Sequence, residues 1–171
     1  MKLFDSTIVP ILTYGCEVCG FGELAIDKKN HTDFLKYILI VKKSTPHMML
    51  YGELWRYPIC IIIKKRIVGF WYNLINKENK LSSILYRFMF NHAHVHNFEY
   101  KWLANVKSSF ETTGLNNIWL IQATTQLRNV FVNKIEAILK DQYMQSWHND
   151  VSTSDKCLNY RLYKEYHGYD Q

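Results

Sequence analysis

Apolar residues recur three and four positions apart along most of this chain, the spacing that puts them on one face of an α-helix. Gly (7) and Pro (3) are scarce, no repeat or low-complexity tract stands out, and the alternation that marks strands has little room. The pattern therefore predicts an all-α fold, an irregular helical bundle.

A first helix takes in Phe4, Ile8, Ile11 and Leu12, with Pro10 either kinking it or starting its second part, and ends at Tyr14-Gly15. A loop through CEVCGFG follows. The second helix, over about 27–43, aligns Phe34, Leu35, Ile38 and Leu39, with Lys36, Lys42 and Lys43 outside that stripe or at its end, where the helix dipole favours cations. Ser44-Thr45-Pro46 reads as an N-cap followed by Pro at the first helical position, opening a short helix that Gly52 ends. Pro58 repeats the device. The helix it opens carries Ile59, Ile62, Ile63, Ile67, Phe70, Trp71 and Leu74 on one face, with Lys64, Lys65 and Arg66 on or near the other.

The polar break at 76–80 is read as a linker between two helical subdomains, 1–76 and 77–171. Further helices are expected near 82–91, 98–112, 122–145 and 153–166. The third is the firmest: Leu127, Val130, Phe131, Ile135, Ile138, Leu139 and Tyr143 keep helical spacing for about five turns. The last starts at Thr153 or Ser154 and carries Leu158, Leu162 and Tyr166.

Composition fits such a core. With 171 residues, 48% hydrophobic and 21% charged, the chain is a folded protein that buries roughly 70% of its unfolded surface without covalent staples. Its four cysteines have no disulfide-framework spacing, which favours a reducing compartment, cytoplasm or nucleus. No secretory signal and no run near the ~18 apolar residues of a membrane span is visible, so no membrane partner is expected and the Asn30-His31-Thr32 sequon is read as chance.

The net charge is +6, and it is uneven: residues 1–80 hold 12 basic and 7 acidic side chains, residues 81–171 hold 9 and 8. A polyanion would therefore bind the first half. There Lys42, Lys43, Arg56, Lys64, Lys65 and Arg66 are interleaved with Tyr51, Trp55 and Tyr57, cations for phosphates and flat rings for sugars or unpaired bases. A solvated helix face with core aromatics has the same composition.

Two other constellations carry possible chemistry. Cys16 and Cys19 form a CxxC, the spacing for two thiolates on one metal or a redox disulfide, but no second ligand pair lies at finger spacing and no βαβ context is present. Two cysteines at a helix end are the plainer reading. His92, His94 and His96 point to one side in extended chain, where they could share a metal, and splay around the axis in a helix; both conformations are open here, and solvated loop histidines are the plainer reading. Pairing them with the cysteines is permitted by the sequence and not suggested by it. No glycine-rich phosphate loop, GxSxG, HExxH or adjacent acidic pair occurs, so no catalytic residue, metal or cofactor is assigned.

The strings STIVPILTYGCEVCG at 6–20 and HTDFLKYILIVKKSTPHMMLYGELWRYP at 31–58 resemble the segment after the polymerase palm in reverse transcriptases of LINE-type, non-LTR retrotransposons. KKRIVGFWYNLI at 64–75, NKLSSILYR at 79–87 and LNYRLYKEYHG at 158–168 resemble later parts of the same reading frame, in order, with 97–150 matched loosely. The resemblance implies a helical thumb-like region, which in this family packs on the minor groove of the template-primer duplex, followed by a helical linker. It implies no catalysis here, because nothing in the chain matches the palm's aspartate pair or the endonuclease. Met1 would then be an internal methionine used as a start, and the protein a truncated element copy with at most nonspecific affinity for RNA/DNA template-primer through Lys42, Lys43, Arg56, Lys64, Lys65 and Arg66.

Two positions depart from the family pattern. Cys19 stands where Trp is expected, which creates the CxxC, and Trp55 stands where Gly is expected, at a predicted helix terminus where Gly would serve a left-handed conformation. Two other outcomes are open at this point. One is a helical interaction module that docks a partner or the missing palm, leaving an apolar patch near Phe4, Ile8 and Trp55; the other is a metal-bound regulator using the cysteines and histidines.

Overall fold

The computed structural model describes residues 4–19, 24–77 and 80–164. Every regular element among them is helical. A π-helical turn, Phe4–Ile8, continues as α1 (Val9–Leu12), followed by α2 (Cys16–Cys19), α3 (Leu24–Leu39), α4 (His47–Leu54) and α5 (Ile59–Asn76). Then come α6 (Leu81–His96), α7 (Lys101–Thr112), α8 (Asn116–Ile121), α9 (Arg128–Thr153), a 3₁₀ turn (Asp155–Cys157) and α10 (Leu158–Lys164). No helix among the described residues is long and apolar enough to cross a membrane, and no disulfide links the four cysteines.

Several boundaries differ from the sequence expectation. Pro10 lies in the first turn of α1, so it starts the second part of the first element rather than kinking a continuous helix. Cys16 to Cys19 form a helical turn instead of a loop. Residues 20–22 of the expected loop, 78–79 of the polar break and Tyr166 lie outside the described residues.

α3 stops at Leu39, before Lys42 and Lys43. Its end is a Schellman motif, with Val41 N–H on Lys36 O (3.1 Å), Ile40 N–H on Tyr37 O (3.2 Å), and Ile40 in left-handed backbone at φ 53°. Pro46 occupies the N-cap of α4 rather than its first turn, and Gly52 does not end that helix. The helix runs on to Leu54 and closes on Trp55, at φ 51° and ψ 45°. α8 is an element that the periodicity does not predict. Gly114, at φ 69°, releases the chain from α7, and six residues are too few to show a period.

The chain divides into two compact units, one from Met1–Glu23 with Ile62–Ile138 and the other from Leu24–Ile61 with Leu139–Gln171. The break at 76–80 thus joins α5 to α6 within one unit. In that first unit the core is aromatic: the buried Trp71 ring meets Phe110 (4.7 Å between centroids), Phe131 (6.2 Å) and Trp119 (6.4 Å). Its Nε1–H donates to Tyr86 Oη at 2.9 Å, so the one polar atom of the indole is satisfied inside the core.

In the second unit, Leu35, Leu50 and Tyr51 pack with Phe34, Leu39, Leu54 and Tyr143. Trp147, Val151 and Cys157 pack with Met48, Met49, Tyr143 and Tyr160. Trp147 Nε1–H donates to Met48 O at 2.8 Å. Gly52 sits beneath this group, where an added Cβ would lie 2.8 Å from the Trp147 ring and against the Tyr160 hydroxyl.

Candidate nucleic-acid interface

Lys42 and Lys43 follow the end of α3 in an exposed turn, closed by Thr45 N–H on Lys42 O at 3.0 Å. The Lys43 carbonyl accepts from Lys36 Nζ at 2.8 Å, which ties the turn back to α3. Among the described residues, neither lysine lies within ion-pair distance of a carboxylate. Arg56 follows the α4 cap, half-buried, its N–H bonded to Tyr51 O at 3.0 Å. These three residues belong to the second unit.

Lys64, Lys65 and Arg66 lie on the α5 segment of the first unit, each half-buried. Lys65 pairs with Glu136 on α9, and Arg66 pairs with Glu17 on α2 at 3.8 Å while donating to Thr13 O at 2.9 Å. Lys64 has no such pair among the described residues. The six cations are therefore divided three and three, and Lys65 and Arg66 already hold the first unit's own elements together.

The interleaved aromatics are also divided. Tyr51 is wholly buried, with its hydroxyl 3.4 Å from His31 Nδ1; burial and the nearby Cys60 charge push its phenol well above the ordinary tyrosine range. Tyr57 packs edge-on to Tyr143 at 5.9 Å and lies under Lys140 Nζ, 5.1 Å from the ring centre. Trp55 is 44% exposed.

Cys16 is buried and Cys19 exposed, and no three His, Cys, Asp or Glu residues among those described could jointly hold a metal. His92, His94 and His96 lie within α6, where His94 turns to Phe90 while His92 and His96, four residues apart, share a face. The sequence reading missed a groove of about 540 Å³ in the first unit, lined by Phe90, His94, Tyr100, Leu103, Lys107 and Trp119. Its residues come from α6, the α6–α7 loop, α7 and α8 and lack a common spacing that could have announced it.

Of the patch expected near Phe4, Ile8 and Trp55, Ile8 and Trp55 are exposed, and Phe4's side chain lies outside the described set. A longer exposed apolar stripe runs along α6 through Leu81, Ile84, Leu85, Phe88 and Val95. Compared with protein-family models, curated proteins and solved structures, the chain matches none of them.

Proposed function

We propose that this chain is the post-palm, thumb-and-linker region of a LINE-type non-LTR reverse transcriptase, binding RNA/DNA template-primer through its sugar-phosphate backbone and performing no polymerase chemistry itself. The observation that carries the reading is the backbone at Trp55. The sequence pattern of the family expects Gly there, and a φ of 51° is the conformation for which Gly is the natural choice and Trp is not. A departure from a pattern that still obeys the pattern's geometry supports common descent of the segment better than composition does.

Lys42, Lys43, Arg56, Lys64, Lys65 and Arg66 are the assigned phosphate contacts. Lys42 and Lys43 cost least to recruit, being exposed, whereas Lys65 and Arg66 must exchange Glu136 and Glu17 for phosphate. The reading places the protein inside the cell, in cytoplasm or nucleus. Replacing both exposed lysines, Lys42→Glu with Lys43→Glu, should weaken binding to an RNA/DNA hybrid of any sequence and reduce the log–log salt slope by roughly 2. Unchanged affinity would remove the pair.

The α6 stripe favours a second reading, a helical interaction module that docks a protein. Folded protein with no affinity for any nucleic acid at low salt would put that reading first.

A further inference from the structure

Helix α6 sorts its three histidines onto different faces. His92 and His96, four residues apart, sit over one another with ring centroids 4.6 Å apart and planes inclined by 41°. His94 turns away, edge-on to Phe90 at 4.6 Å between ring centres. We propose that His92 and His96 form a two-imidazole chelate for a late first-row divalent cation, with Zn²⁺ the representative ion.

The ring separation suits it. A coordinating imidazole nitrogen sits about 2.0–2.1 Å from the metal with its ring centre about 1.1 Å behind, so two rings on neighbouring positions have centres roughly 4.5–5.3 Å apart, from right-angle to tetrahedral geometry. The observed 4.6 Å falls at the right-angle end.

A second observation concerns the outer side of the first ring. Tyr100 Oη lies 3.3 Å from His92 Nδ1. With Nδ1–H donating to that oxygen, the lone pair is held on Nε2, the arrangement by which outer groups prepare an imidazole for a metal. Phe98 packs edge-on against both His92 (5.9 Å) and Tyr100 (4.8 Å), which restrains the two rings further.

Position on the helix adds to this. His96 lies in the last turn of α6, where the outward carbonyls favour positive charge, and Asn97 closes the helix immediately after. His92 is half-buried and His96 exposed, so an ion can enter from solvent and water can complete its coordination. Borderline cations prefer nitrogen donors, which excludes Mg²⁺ and Ca²⁺ from a site of this composition.

The test uses Co²⁺ alone, titrated into the intact chain and followed optically. One equivalent should bind the wild type and His94→Ala alike, and at least tenfold more weakly to His92→Ala and to His96→Ala. Visible ligand-field bands should appear without the near-ultraviolet charge-transfer band that Cys16 or Cys19 would add. Circular dichroism of each variant establishes that it remains helical. Undiminished binding in both His92→Ala and His96→Ala, equal loss in His94→Ala, or no binding at millimolar Co²⁺ overturns the chelate.

Discussion

Among the described residues, four helix ends turn into left-handed backbone on residues that carry a side chain: Ile40, Trp55, Asn97 and Gln122. Asn tolerates this conformation, but a β-branched residue pays its full steric cost, on the order of 1–2 kcal/mol. Ile40 is also 93% exposed, so its side chain returns little by burial. Ile40→Gly should therefore stabilise the protein by about 1 kcal/mol in urea unfolding; a loss of stability would contradict the assigned backbone. Gly52→Ala should do the opposite. Ala favours a helix, but Trp147, 5% exposed and tethered to Met48 O, cannot retreat from the added methyl, and a net cost of about 1–3 kcal/mol is expected in the same assay. Gly52 reads as a helix stop in the sequence because its real reason, a ring from 95 residues further along the chain, is invisible to local pattern. Trp55, by contrast, stands at a helix terminus, and α4 closes on it in left-handed backbone.

Elements were legible in proportion to their length. α5 and α9 carry long apolar faces and stand close to where periodicity placed them, although α9 continues to Thr153. Its core positions Phe131, Val132, Ile135, Leu139, Trp147 and Val151 lie mostly four or eight apart, a spacing that drifts about 40° around the helix at each four-residue step. A fixed face therefore fades toward the C-terminal half, where the sequence reading stopped. The candidate site was legible only as a list of cations, since Glu136, the partner of Lys65, is 71 residues away. Packing between elements also sets a pH response. Burial raises the Tyr51 phenol, helped by Cys60, and raises the Tyr86 phenol against the lowering effect of hydrogen bonds with Trp71 and Gln122. Both groups stay protonated in the folded state after the unfolded chain has begun to ionise near pH 10, so their stabilisation is complete below that pH and lost above it. Midpoints of urea unfolding should hold to about pH 10 and then fall steeply, less so in Tyr51→Phe; a flat profile to pH 11 would contradict the burial of both rings.

Over the whole molecule, an aromatic core serves one unit and two smaller clusters serve the other, with the six candidate cations shared between them. The all-α class followed from periodicity and sparse glycine and proline. The division into units did not, because each unit is assembled from separated stretches of chain and α5 and α9 each contribute to both. Charge belongs to this scale as well: +6 is a modest excess, and the salt dependence of binding should scale with the number of cations that reach phosphate. The most direct measurement is the affinity of the intact chain for a labelled RNA/DNA hybrid across a salt series, beside single-stranded RNA and DNA of the same sequence. The account predicts preference for the hybrid, indifference to its sequence, and a linear fall of log affinity with log salt concentration. Folded protein that binds none of them at low salt, or binds with no salt dependence, would contradict it.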